Sequence, residues 1–234
     1  MQFEGCVLVT GAAGALGRAV VAHFAARGAA LALLDRDVEA LAALVREVPG
    51  IDALPLATNL LDPAAVAAAV GEAANRFGGI AAAVHLAGGF TMGEAVHETT
   101  AATWQRMLDL NVNTMLHSAA AVVPVMRRAR RGRIVNVGAM SALRGAAHMG
   151  AYIASKSALM RLTESMSAEL RDEGINVNAV LPSIIDTPAN RQSMPDADPT
   201  RWVAPAALAA VIGFLASDDA RAVHGALIPV TGLV

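Results

Sequence analysis

Short apolar runs that alternate with alanine-rich stretches of helical length restrict this chain's fold more than any other feature. Cys6-Val7-Leu8-Val9-Thr10 leads into a helical stretch to about Arg27, and Ala30 to Leu34 into one from about Val38 to Val48. Ala53 to Leu56 leads into a third, from about Pro63 to Phe77, and Ile80 to His85 follows. Such runs suit strands buried on both faces, and the helices between them suit the crossovers of a parallel sheet. The second half continues with helices over about 99–123, 152–173 and 205–216 and strands near Ile134 to Val137, Asn176 to Leu181 and Gly225 to Val230. The last strand, with Pro229, suits a sheet edge. No linker or further repeat interrupts the pattern, and 234 residues suit one domain with a sizeable core.

Glycines punctuate the first strand-to-helix turn. Gly11, Gly14 and Gly17, with Ala15 and Leu16, close Cys6 to Thr10 against the following helix. Glycine lets a backbone turn tightly and approach a pyrophosphate, which then rests on the amides of a helix N-terminus. Asp35 ends the second strand, about 20 residues on, where a carboxylate can accept the hydroxyls of an adenosine ribose. It also suits a helix cap in Asp35-Arg36-Asp37. As ribose ligand it would repel a 2′-phosphate, which favours NAD(H); Arg36 and Arg18 soften that preference, so NADP(H) stays open. Asn59 and Leu60 follow the third strand and suit a turn before Asp62-Pro63. Ala87, Gly88 and Gly89 follow the fourth strand and leave room for a cofactor against the backbone. His85 reads as a core histidine.

Composition narrows the function. With 55% hydrophobic residues, 16% charged and a net charge of −2, nothing favours nucleic acid or an anionic membrane. The run Arg127 to Arg133 falls where a helix ends, so its cations complement the helix C-terminus. Cys6 is the one cysteine, which excludes an internal disulfide, and no metal-ligand spacing is present. Met1 to Gly5 lacks a basic leader, and the apolar run 204–216 is broken by Pro205 and Gly213. A soluble, cytoplasmic protein is the expectation.

Tyr152 is the only tyrosine and Lys156 the only lysine. Four apart on a helix, they share a face, so the ammonium is expected to lower the phenol's pKa and make it a proton donor near neutrality. A surface tyrosine beside a cation is the bland alternative. This Tyr-x-x-x-Lys pair, behind the glycine loop, resembles the active site of the short-chain dehydrogenase/reductase family. The resemblance implies a single-domain Rossmann fold: a doubly wound parallel sheet of about seven strands, order 3-2-1-4-5-6-7. It assigns Tyr152 as general acid/base and Lys156 as partner of the nicotinamide ribose. It places Asn111 on a distorted helix holding a proton path, Asn59 and Leu60 against the adenine, and Pro182, Ile184, Ile185 and Thr187 against the nicotinamide. A homodimer or homotetramer paired through the long helices and last strand is implied as well.

Two positions depart from that pattern. The family serine lies 13 residues before the tyrosine, and counting back from Tyr152 lands on Ala139. Ser141 is the nearest hydroxyl, equally suited to a turn. Leu86 replaces the asparagine of the usual Asn-Ala-Gly. The alanine, the Gly14-to-Gly17 and Ala87-to-Gly89 loops and the stretch 182–202 resemble the dihydropteridine reductase branch, although Asn111 does not. That implies a quinonoid dihydropterin as substrate, reduced with a proton donor and no second oxyanion donor. Ordinary carbonyl or alcohol oxidoreduction is the alternative, and a nucleotide-binding protein without turnover a third reading. Residues 187–203 resemble a lid, and Met140, His148, Met149, Asn190 and Met194 are candidate pocket residues.

Overall fold

A computed structural model of the chain describes residues 4–234. Met1 to Phe3, on which the leader expectation partly rests, lie outside the described residues. Seven parallel strands form one sheet in the order 3-2-1-4-5-6-7: β1 Cys6–Thr10, β2 Ala30–Asp35, β3 Ala53–Ala57, β4 Ile80–His85, β5 Gly132–Val137, β6 Ile175–Pro182 and β7 Leu227–Val230. The helices are α1 Ala15–Ala25, α2 Val38–Glu47, α3 Pro63–Phe77, α4 Ala101–Leu108, α5 Thr114–Ala129, α6 Gly150–Leu170, α7 Pro188–Ser193 and α8 Pro205–Leu215.

Alternation along the central strands explains the two layers. Val7, Val9 and Val84 face one side with Val20, Phe24, Leu208 and Ile212 of α1 and α8. Cys6, Leu8 and Ala83 face the other with Val66, Val70, Val122 and Met126 of α3 and α5. Burying both faces makes the strands apolar along their length and leaves function to the loops at their C-terminal edge.

Several boundaries differ from the sequence expectation for local reasons. The helix expected over 99–123 is α4, a π-helical segment Asp109–Asn113, and α5, which runs through Pro124 to Ala129. Pro124 and Ala120 are both exposed, so the carbonyl that the proline leaves without its helical donor faces water, while Val122 and Met126 are buried. The ~3 kcal/mol that an interior proline costs is thus met by burial on the opposite face. β5 starts at Gly132 because Arg133, though buried, reaches Asp218 (3.2 Å). The arginine run is largely paired: Arg127 with Glu173 (2.7 Å), Arg131 with Glu4 (3.0 Å) and Asp218 (2.7 Å). Paired cations at a helix-to-strand turn serve the fold. Among the described residues, no helix is long and apolar enough to cross a membrane, and no cluster of three or more His, Cys, Asp or Glu is placed to hold a metal.

Candidate active site

The nucleotide end is built by backbone. Gly11 adopts φ 66°, a conformation that favours glycine, and turns the chain out of β1. A Cβ on Gly17 would stand 2.3 Å from the Gly11 oxygen and 2.4 Å from that of Ala12, so only glycine lets α1 lie this close to the loop. Gly14 is the N-cap residue of α1 without a side-chain cap, and Gly14 and Ala15 are exposed. Open amides at a helix start, at the C-terminal edge of a parallel sheet, fit a dinucleotide's pyrophosphate. Leu16 is half-buried and packs on the α1/α8 core.

Asp35 does not cap α2; Asp37 does, accepting from the Ala40 amide (2.9 Å). Instead the Asp35 carboxylate spans the loop, accepting from the Ala13 amide (3.1 Å) and the Asp37 amide (3.3 Å). It therefore lies at the glycine turn, where a ribose hydroxyl donor would meet it. Arg18 donates to the Ala13 carbonyl (3.1 Å) and pairs with Glu47, while Arg36 is exposed. Asn59 is exposed and accepts from the Leu61 amide (3.1 Å), a turn contact; Leu60 is buried.

The central part of the cleft is organised around Asn111, fully buried in the π segment. The wider helical turn aims its side chain inward, the sort of distortion that recurs at functional sites. Its Oδ1 accepts from the Gly89 amide (2.9 Å), and its Nδ2 donates to the Gly89 carbonyl (3.0 Å) and to Ser155 Oγ (3.0 Å). Ser155 in turn donates to the Tyr152 carbonyl (2.7 Å). A Cβ on Gly88 would lie 2.9 Å from Asn111 Oδ1 and 3.3 Å from Lys156 Nζ, so Gly88 brings these two side chains to one corner. Ala87 joins the same turn through its amide, which donates to Thr10 Oγ1 (3.4 Å).

The Tyr152–Lys156 relation differs from the expectation. Lys156 Nζ donates to the Val137 carbonyl (2.8 Å), and burial takes its pKa down to about 8. Burial also pushes the Tyr152 phenol up, to about 12. Desolvation alone raises the phenol, while the Lys156 ammonium donates to a backbone oxygen of β5. The phenol is accordingly a firmly protonated group at neutral pH.

Ala139 and Ala142 pack in one cluster with Met140 and Tyr152, whereas Ser141, on the same turn, is exposed. The hydroxyl nearest in sequence is thus exposed and outside the cluster that holds Tyr152. His148 and Met149 line a small cleft with Thr91, Met92, Glu94 and Thr103. Pro182 ends β6. Ile184 and Ile185 are fixed to Val203: the Val203 amide donates to the Ile184 carbonyl (2.9 Å), and Ile185 bridges Val203. Thr187 caps α7 by accepting from the Asn190 amide (3.2 Å). Asn190 donates to the Ile185 carbonyl (2.8 Å), a pinning contact within its own segment, and Met194 ends α7 half-buried.

Sequence reasoning missed two parts of this site. Ser155 is a polar residue inside the Tyr-to-Lys interval, and that interval is its only sequence signal. Phe90 stands with its ring 4.9 Å from that of Tyr152, at 75°, and follows Gly88-Gly89 directly.

Comparison with known proteins agrees with this geometry. Residues 5–198 match the family model for short chain dehydrogenase. The levodione reductase of Leifsonia aquatica is 30% identical over 246 residues, covering 97% of this chain and 92% of that protein. The inactive 2-(S)-hydroxypropyl-CoM dehydrogenase 2 of Xanthobacter autotrophicus is 36% identical over 220 residues, covering 88% and 94%. The crystal structure of a 3-oxoacyl-[acyl-carrier protein] reductase with bound NAD, from Brucella melitensis, superposes with a TM-score of 0.89 at 30% identity, covering 100% of this chain and 92% of that one. A glycine turn at the C-terminal edge of the sheet, a half-buried tyrosine four residues before a buried lysine, and these matches lead to one conclusion: the chain belongs to the short-chain dehydrogenase/reductase family of NAD(P)-dependent oxidoreductases.

Proposed function

We propose that the protein is an NADH-dependent reductase of small, electron-poor conjugated acceptors, a dihydropteridine reductase-like activity, with Tyr152 as proton donor. The observation that carries this reading is the packing of Ala139 in the cluster that holds Tyr152, with Ser141 exposed. A site without a hydroxyl aimed at a developing oxyanion lacks a stabilisation worth roughly 3 kcal/mol. An acceptor that is already electron-poor needs less of it.

Bound NADH supplies the hydride. Tyr152 gives its phenolic proton to a substrate heteroatom as the hydride is transferred, so the acceptor gains two electrons and two protons, one proton carried in the hydride and one from the phenol. Lys156, still mostly protonated near neutrality, holds the nicotinamide ribose and stabilises the phenolate left behind. Asn111 fixes the Gly88-Gly89 turn and links through Ser155 to the tyrosine's backbone, which supports its place on a proton path. The Asp35 carboxylate at the glycine turn supports NAD(H) over NADP(H). Thr187, Ile184 and Ile185 are the proposed contacts of the nicotinamide amide, and 187–203, containing α7, is the proposed lid of a one-domain enzyme. Exposed Trp104 and Leu116, on the segment leading through α4 and α5, support a homodimer or homotetramer paired through that segment, α6 and the last strand.

The test is a substrate panel with NADH. Rapid reduction of quinonoid dihydropterin and weak turnover of simple ketones is the expected result, with Ala139→Ser gaining about ten-fold on ketones. Fast ketone turnover by the parent protein would overturn the electron-poor acceptor. Binding without turnover is a second reading, supported by Ala139 and by the Xanthobacter relative named as inactive. NADH binding with no oxidation across the panel would favour it.

A further inference from the structure

Phe90 is 55% exposed, and an aromatic side chain left in water at a cleft is either fortuitous or used. Its backbone is not free to drift. Asn111 grips Gly89 from both sides, through amide and carbonyl, one residue before the ring. Three residues after it, the Gly93 amide donates to the His148 carbonyl (2.8 Å), tying this loop to the one that leads into α6. His148 holds φ 61° to make that tie, a left-handed conformation uncommon outside glycine. The ring itself meets the Tyr152 phenol nearly perpendicular, the favoured aromatic arrangement. Phe90 is therefore a rigidly presented apolar wall beside the proposed proton donor.

Glu94, four residues after Phe90, and Arg191 of α7 are both engaged by neighbours. Glu94 accepts from Thr103 Oγ1 (2.8 Å) and the Thr100 amide (3.3 Å). Arg191 makes a two-pronged pair with Asp186 (2.6 and 2.8 Å). Arg144 is left on the exposed turn after Leu143. A substrate reaching Tyr152 past Phe90 meets an aromatic face, while Arg191, which could attract a carboxylate, is held by Asp186. Flat, unsaturated rings stack on such a face, whereas open chains and carboxylates gain little from it.

We propose that Phe90 is the specificity-determining residue of this site, admitting flat, uncharged ring carbonyls and discriminating against open-chain or anionic ones. This rests on the reductase reading for its chemistry, yet it can be read from binding alone. Binding to the protein–NADH complex is measured for cyclohexenone, hexanone and oxohexanoate. The parent is expected to bind cyclohexenone best, and Phe90→Ala to reduce that preference about ten-fold while NADH affinity stays unchanged. Phe90→Trp should retain the preference. Absorbance titration of the apo protein follows Tyr152 alone, because it is the only tyrosine, and its phenol should ionise at lower pH in Phe90→Ala as water reaches it. An unaltered preference in Phe90→Ala, or a parent that shows no ring preference or binds none of the probes, would overturn the inference. NADH that is never oxidised while ring preference persists would instead sink the reductase reading and leave Phe90's role standing.

Discussion

The two ends of the cleft are held by different means. At the nucleotide end, position is set by backbone: Gly11 in a left-handed turn, Gly17 under the loop oxygens, and open first-turn amides on α1. At the substrate end it is set by side chains: Asn111 on Gly89, Lys156 on Val137 and Phe90 on Tyr152. Backbone constraints tolerate little besides glycine, so that end is uniform in kind. Side-chain constraints can be exchanged singly, as Ala139 illustrates, so the cofactor can stay the same while the substrate changes.

That contrast can be broken at either end. Tyr152→Phe should have the largest effect, lowering kcat about 10²- to 10⁴-fold while NADH affinity changes by no more than a few-fold. Steady-state rates and NADH titration check both halves. A comparable loss of NADH affinity would mean that the two ends are not separable. Next is His85, which is buried, bonded through Nδ1 to Asn136 Oδ1 (2.8 Å), with its pKa lowered to about 4 by burial. Between about pH 6.5 and 4 the unfolded chain binds the proton that folded His85 refuses, so stability falls as pH falls through that window. The loss is on the order of 3 kcal/mol by the lower end, readable in urea melts at stepped pH. A flat profile there would contradict the buried neutral ring.

Smaller effects probe the nucleotide end. Gly17→Ala places a methyl against two backbone oxygens and should cost about 1–3 kcal/mol. Gly71→Ala in α3, with nothing within 4 Å of its added Cβ, should be neutral or stabilising by up to ~1 kcal/mol. Equal melting behaviour of the two variants would remove the close-approach explanation. Asp35→Ala should weaken NADH binding about ten-fold, the effect of a charged hydrogen bond, and reduce discrimination against NADPH. Unmoved selectivity would take the ribose away from Asp35.

The same contrast explains what the sequence made legible. The alternation of strands and helices and the glycine positions follow from local pattern and steric need, which are written residue by residue; the strand order came only with the family resemblance. The π segment is not written that way: the family resemblance places Asn111 on a distorted helix, but nothing else in Leu108 to Asn113 distinguishes a wider helical turn from an ordinary one, and the contact with Ser155 of α6 is tertiary. Pro124 misplaced a helix end because its exposure, which decides whether the lost hydrogen bond matters, belongs to the fold. For Tyr152 and Lys156, i,i+4 spacing gives proximity without saying how deeply the phenol is buried or where the ammonium points; burial raises the phenol and the Val137 carbonyl takes a hydrogen bond from the ammonium. Phe90 was in plain view after Gly89, but its partner lies 62 positions away and the contact is tertiary.

The proton moved by Tyr152 is the centre of this account, and a single phenol in the chain makes it directly observable. In the protein–cofactor complex, the pH dependence of conjugated-acceptor reduction should be recorded beside the absorbance titration of tyrosine. Reduction needs the protonated phenol, so the rate should fall with rising pH along the same curve as phenol ionisation. A rate that holds its plateau after the phenol has ionised would contradict Tyr152 as the acid/base group.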